Sequence, residues 1–252
     1  KLYEPFNLKR SFNFAFNGFF EFEEITFLMH YLSHEDIFFD VGANIGVYTI
    51  AASRSKVKKI YAFEPSKKTA KYLHKNVKIN NITNRVIIEN FAISSQEGKL
   101  KITKGMNVSN KILDNNVKYK KLNLPSETVR ASTLDNYCTQ YNVIPTFLKI
   151  DIEGFELNAI RGCSNILTNK KLNVIQLELN NHGNKFYNLD ENVILKILAD
   201  KGFKKYKYLP FERILCQLED HERGDVLFIR DIDLAKSKIK KAEYIYTGST
   251  KI

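Results

Sequence analysis

Between Glu21 and Leu32 apolar residues recur at helical spacing, and Ile37-Phe38-Phe39 then reads as a strand. Strands and helices alternate from there. Lys59 to Phe63 is a short β run, Ser66 caps a Lys-rich amphipathic helix reaching about Asn80, and Val86 to Ile88 begins a third strand. Leu100 to Thr103 reads as an extra strand. Residues 105–127 show no period, hold Gly105 and Pro125, and read as a long loop or lid. Phe147 to Ile150 is a continuous buried strand, followed by a helix over Phe155 to Leu167 and a strand over Val174 to Leu179. A helix over Glu191 to Lys201 ends at Gly202. Two last strands, Lys204–Phe211 and Val226–Arg230, pair as an antiparallel unit ahead of a short basic helix and a polar tail.

Alternation of this kind predicts an α/β fold, a mostly parallel sheet with helices on both faces. Residues 1–20 are aromatic and irregular, and no repeat or linker interrupts the pattern, so a single domain is expected. A chain of 252 residues, 44% of them hydrophobic, can fill such a core. No stretch approaches the roughly 18 apolar residues of a membrane span, and the first residues lack the order of a signal peptide. The three cysteines, Cys138, Cys163 and Cys216, form no Cys-x-x-Cys, so neither a disulfide framework nor a zinc site is encoded. These features predict a soluble, cytoplasmic protein with no membrane span.

The 39 basic and 28 acidic residues give a net charge of +11, a balance that attracts nucleic acid, anionic lipid or acidic substrates. Composition argues against the first of these. Lys outnumbers Arg 31 to 8 and Asn reaches 25, the bias of an AT-rich genome, and Arg is the better tool for phosphate and base contacts. Nucleic acid is therefore an unfavoured partner, and most of the charge reads as solvated surface.

The segment Asp40-Val41-Gly42-Ala43-Asn44-Ile45-Gly46-Val47-Tyr48-Thr49 lies between the first strand and a helix. Gly42 allows a tight turn, Gly46 a close approach, and the N–H groups at the helix start favour a polar or anionic ligand. Asn44 takes the middle place, where dinucleotide sites prefer Gly; Asn tolerates positive φ, so the turn survives, but the G-x-G-x-x-G test fails. Glu64 ends the next strand, 24 residues after Asp40, where an acid in a βαβ unit takes the hydroxyls of a ribose. Asn90 and Ala92, at the end of the third strand, fall beside an adenine in the same crevice.

Four ordered blocks carry a family resemblance: Asp40 to Thr49, Phe63-Glu64-Pro65, Thr133-Leu134-Asp135, and Phe147 through Glu156. Together they resemble the FkbM-type family of S-adenosylmethionine-dependent methyltransferases, over about Gly18 to Asn180. The resemblance implies a class I methyltransferase (Rossmann-like) fold, with a mostly parallel seven-stranded sheet and an antiparallel last strand. It implies S-adenosyl-L-methionine as cofactor, with Asp40, Gly42, Asn44, Gly46, Thr49, Glu64, Asn90 and Ala92 around it and Glu21 approaching from the N-terminal segment. It also implies transfer to an oxygen, with a saccharide or glycosylated small molecule as acceptor. On this reading residues 1–35 are an N-terminal segment and helix packed on the core, and residues 36–252 are the methyltransferase domain.

Asp151, Glu153 and Glu156 follow the fourth strand of the main series, and Glu178, Asn180, Asn181 and His182 follow the fifth. Ligands of open α/β sheets bind outside the carboxyl ends of strands. Methyl transfer to a hydroxyl is an in-line displacement that needs alignment and a base. Asp151 is the best-placed base, Glu153 and Glu178 can orient the acceptor or take the proton, His182 can do either, and Glu156 reads as a first-turn helix acid. The carboxylates are also hard oxygen ligands, but no metal is expected. Two other functions compete. A nicotinamide-dependent oxidoreductase lacks its glycine fingerprint and any Tyr-x-x-x-Lys pair here. A base-directed nucleic-acid methyltransferase lacks its Asn-Pro signature, while RNA ribose methylation stays open.

Overall fold

The computed structural model describes residues 21–104, 110–113, 125–179, 190–219 and 224–247, and positions 2, 185, 187, 221, 222, 250 and 251 besides. Helix α1 (Phe22–Tyr31) leads into β1 (Ile37–Val41), α2 (Val47–Ala52), β2 (Lys59–Phe63), α3 (Lys67–Ile79) and β3 (Val86–Glu89). Strands β4 (Ala92–Ile93), β5 (Gly98–Thr103) and β6 (Ser126–Ser132) form a small sheet of their own. After α4 (Leu134–Tyr141) the main sheet resumes with β7 (Phe147–Ile150), α5 (Glu156–Arg161) and β8 (Val174–Leu179). Then come α6 (Glu191–Asp200), β9 (Lys204–Leu209), β10 (Ile214–Gln217), β11 (Gly224–Ile229) and α7 (Ile232–Lys241).

The main sheet has the order β10-β9-β11-β8-β7-β1-β2-β3. Pairing is parallel from β8 through β7, β1 and β2 to β3. Strand β11 is wedged antiparallel between β8 and β9, the reversed strand expected of a class I methyltransferase sheet. All seven expected strands are present. An eighth, β10, folds back on β9 after a turn in which Arg213 takes φ 54°. Its alternation was too short to read, since Leu215 is its single fully buried side chain.

Central parallel strands are covered twice, and their side chains divide into two apolar layers. Phe38, Ile60, Phe147 and Val174 point toward α1, α2, α3 and α7. Phe39, Phe63, Leu148 and Ile175 point toward α4, α5 and α6. The expected cap of α3 is formed, with Ser66 Oγ accepting from Thr69 N, and Thr69, Ala70, Leu73, Asn76 and Val77 make its buried stripe. Helix α1 lies on the sheet through Phe27 and Tyr31 against Phe147, and His30 Nδ1 stands 2.7 Å from the Tyr208 hydroxyl. Asp36, 2% exposed, accepts from Ser33, Thr146 and Lys238, which ties the entry of β1 to α7. No helix among the described residues is long and apolar enough to cross a membrane.

Two expectations change. Residues 105–109 and 114–124 of the expected loop lie outside the described residues, but 110–113 run along β5 and residues 126–127 begin strand β6. Strand β6 is masked in sequence by Ser126, Thr128 and Arg130 on its exposed side, with Val129 and Ala131 buried on the other. The helix expected over Phe155 to Leu167 breaks after Arg161 into a turn and a 3-10 segment at Ile166–Thr168. The Asp135 carboxylate fixes that turn by accepting from Ser164 Oγ, Asn165 N and Ile166 N.

Gly162, at the break, packs against the backbone beside β4: a Cβ there would fall 2.1 Å from the carbonyl oxygen of Ser94. Backbone cannot yield as a side chain does. Gly162→Ala is therefore expected to lower the unfolding free energy by roughly 1–3 kcal/mol, measured by urea denaturation.

Candidate functional site

The main sheet changes direction between β1 and β7. From β1 the chain steps outward through β2 and β3, then returns to the other side of β1 to build β7 and β8. The loops leaving β1 and β7 therefore part in opposite directions and open a cleft at their carboxyl ends. Gly42 makes the first loop possible. It has φ 81°, its N–H and that of Ala43 both donate to Phe63 O at 3.0 Å, and a Cβ on it would sit 1.9 Å from Asp151 O. Asn44 follows in the left-handed region at φ 51°, as expected of a residue standing where Gly is usual, and Gly46 starts α2.

Glu64 closes the floor of this cleft. Its Oε2 accepts from Asn44 N at 3.0 Å and its Oε1 from Ser66 N at 2.8 Å, so one carboxylate links the glycine turn to the cap of α3. Burial pushes its pKa up to about 7, against the pull of those two N–H groups. The cleft is lined by Gly42, Asn44, Glu64, Phe91, Ala92 and Ile93 on one side and by Asp151, Ile152 and Glu153 on the other. Ile102, Asn110 and Ile112 of the small sheet wall it laterally, and Asn110 Oδ1 is buried with no protein partner. A carboxylate between apolar walls, under a backbone turn that admits no side chain, can take paired hydroxyls beside a flat ring.

The sequence candidates thus separate. Gly42, Asn44, Glu64, Ala92, Asp151 and Glu153 share one cleft, while Glu21, Asp40, Gly46, Thr49, Asn90 and Glu178 are not among its lining. Asn90 is exposed and gives its Nδ2 to the carbonyls of Glu64 and Pro65, which shapes the loop carrying Glu64. Asp40 is fully buried behind the turn, with Oδ2 accepting from Thr49 Oγ1 at 2.7 Å and Oδ1 lacking a protein partner. Glu21 caps α1 at φ 53° and accepts from the Tyr48 hydroxyl at 2.5 Å. His182 lies outside the described residues, as do Asn180 and Asn181.

Asp151 stands where cleft and sheet face meet. Lys149, two residues earlier on β7, places Nζ 3.0 Å from Asp151 Oδ2 and 4.4 Å from the centroid of the Tyr48 ring. Register puts Lys149 directly beside Asp40 of β1 and Gln176 of β8. Burial pulls its pKa down, and Asp151, Asp40 and Glu21 together outweigh burial and hold the ammonium charged. Lys149 was invisible as a candidate because its place in the strand reads as one more buried position. After Asp151 the backbone turns through Glu153 at φ 59° and Gly154 at φ 100°. Glu156 holds that turn, its Oε1 accepting from Ile152 N and Gly154 N, so the expected helix-start acid also anchors the loop. Glu153 faces Lys111 at 3.5 Å, which connects the strand end to the small-sheet wall.

Glu178 is the next-to-last residue of β8, on the same face as Gln176 and directly opposite Asp225 of β11. Burial, then Glu21, Glu24, Glu178 and Asp151, push Asp225 up to about 7. Because β11 runs in reverse, its first residues reach the edge where the other strands end. Sequence reasoning missed Asp225 for that reason. Among the described residues no three His, Cys, Asp or Glu side chains are grouped so that they could hold a metal ion.

Residues 40–205 match the methyltransferase FkbM domain. The chain belongs to the FkbM methyltransferase family. A crystal structure of methyltransferase FkbM from Methylobacillus flagellatus KT superposes with a TM-score of 0.50 at 18% identity, covering 78% of this chain and 44% of that one. This likeness shows the fold that the FkbM family members share. Hexuronic acid methyltransferase AglP of Haloferax volcanii is 25% identical over 158 residues, which is 62% of each chain. This FkbM family chain therefore spans less than two thirds of the length of either relative.

Removing the buried ammonium tests how the strand ends are held. Lys149→Met leaves Asp40 and Asp151 without their common cation and is expected to cost about 3–5 kcal/mol in urea unfolding at neutral pH. Adding Asp40→Asn, which removes the fully buried charge, should recover part of that loss.

Proposed function

We propose that the protein is an S-adenosylmethionine-dependent O-methyltransferase acting on a hydroxyl of a saccharide or glycosylated small molecule. The observation carrying this reading is the cleft at the sheet's switch point, which joins Gly42, Asn44, Glu64 and Ala92 to Asp151 and Glu153 in a chain of the FkbM family. The saccharide is supported by the relative named for a hexuronic acid. The donor set fits the cofactor: the buried Glu64 carboxylate matches paired ribose hydroxyls, Phe91, Ala92 and Ile93 offer an apolar wall for the base, and the turn at Gly42 leaves backbone open to the amino-acid end. When bound, S-adenosylmethionine supplies a methyl group on a positively charged sulfur.

Asp151 is the proposed base. At the end of β7 it would accept the proton that the acceptor hydroxyl gives up on methylation. Lys149 holds one oxygen of Asp151 and so fixes where the other can point. Glu153 and Glu178 flank the acceptor and keep its hydroxyl in line. Lys111, paired with Glu153, brings the small sheet over the cleft and helps exclude water.

Two measurements test this reading. Ribose hydroxyls donate best to an ionised carboxylate, and Glu64 ionises near 7, so affinity for S-adenosylhomocysteine should rise as pH increases through that value. In Glu64→Gln the dependence should vanish and affinity fall roughly tenfold to a hundredfold, read by calorimetry. Asp151→Asn should keep cofactor affinity while single-turnover methyl transfer drops about 10²–10⁴-fold. Unchanged transfer in that variant assigns the proton elsewhere.

A further inference from the structure

The face of the small sheet that walls the cleft carries a carboxylate outside the machinery already assigned. Ile112 bridges to Ile102, and Ile102 stands directly opposite Glu127 in the register of β5 and β6. Residues opposite each other on paired strands share a side of the sheet, so Ile112, Ile102 and Glu127 form one row across it. The first two line the cleft. Along β6, Glu127 also falls in step with the buried residues Val129 and Ala131, and Ala131 lies beside Ala92, another residue of the cleft wall.

Electrostatics puts Glu127 at the same place. Burial is the main cause of the raised Glu64 pKa, and the charges of Asp40 and Glu127 add to it, so Glu127 is felt at the cleft floor. Glu127 is half-buried and, among the described residues, has no hydrogen-bond or ion-pair partner. Asn110 Oδ1, an unpartnered acceptor on the same wall, is buried in the protein, which leaves Glu127 as the acceptor a ligand can reach. A half-buried carboxylate beside a second carboxylate gains from any donor that enters the cleft.

We propose that Glu127 reads the base of the cofactor, accepting a hydrogen bond from the exocyclic amino group of adenine. This rests on the S-adenosylmethionine reading of the cleft and deepens it. With the ribose at Glu64 and the flat ring against Phe91, Ala92 and Ile93, the edge of the base is what remains for the lateral wall. On that edge the ring nitrogens of adenine only accept, and its amino group donates. A carboxylate only accepts, so the amino group is the one partner on the base edge that Glu127 can take. The small sheet thereby becomes a specificity element as well as a wall.

The test is calorimetry on the whole chain with S-adenosylhomocysteine and with its analogue bearing hydrogen in place of the 6-amino group. The wild-type chain should bind the first roughly tenfold to a hundredfold more tightly. In Glu127→Ala that preference should shrink toward equality, through weaker binding of S-adenosylhomocysteine and with little change for the analogue. Glu127→Gln, which keeps one neutral acceptor, should give an intermediate ratio. A merely structural role for Glu127 would weaken both ligands alike and leave the ratio where it was. Equal affinities in the wild-type chain, or an undiminished preference in either folded variant, overturns the inference and leaves the cofactor reading standing. Binding of neither ligand by the folded wild-type chain overturns both.

Discussion

Everything at the cleft depends on how closely two backbone segments approach. The turn after β1 rests on the carbonyl of Asp151, near enough that a single methyl on Gly42 would overlap it. Strands β1 and β7 are neighbours in the sheet, and their loops must leave in opposite directions without room for a side chain between them. Gly42 satisfies this sterically and by its positive φ, and no β-carbon can do both. Through that contact the glycine turn, Glu64 and Asp151 become one geometry, since Gly42 and Ala43 are bonded to Phe63 and Asn44 to Glu64.

A buried charge system sits behind the same contact. Asp40, Lys149 and Gln176 occupy adjacent places on three parallel strands, in a layer otherwise filled by aromatic and aliphatic side chains. Such groups weaken a core unless each is matched. Matching here is shared: Thr49 serves Asp40, Asp151 serves Lys149, and Tyr48 joins Gln176 to Glu21. Helices α1 and α2 thereby become part of the strand-end geometry instead of mere cover.

The alternation of apolar runs made the main sheet legible, because doubly covered strands such as Phe147–Ile150 are continuous in apolar character and bounded by turn residues. The places of Glu64 and Asp151 at the cleft were legible because strand ends in an α/β sheet are where ligands gather. What stayed hidden is physically of one kind. Strand β6 shows polar residues to solvent, β10 is short, and Asp225 reaches the edge through a reversed strand, so none has a local signature. Lys149 is a charged residue in a buried run, and the reason it is tolerated lies on neighbouring strands. Thr49 and Asn90, read as cofactor contacts, make their described hydrogen bonds to Asp40 and to the backbone of Glu64 and Pro65.

The position of α1 has a consequence for the order in which the molecule can assemble. Its partners are far along the chain: His30 meets Tyr208, Tyr31 meets Asn173, and Asp36 at its exit meets Lys238, separations of 178, 142 and 202 residues. The opposite apolar layer draws mainly on α4, α5 and α6, whose strands and helices follow one another closely. Closing a long loop costs entropy before any contact repays it, so the nearer layer can consolidate first. The layer bearing Glu21, Tyr48 and Lys149 is complete only when β9, β11 and α7 have joined. A nascent chain would thus hold a formed glycine turn well before it held the completed layer around Lys149.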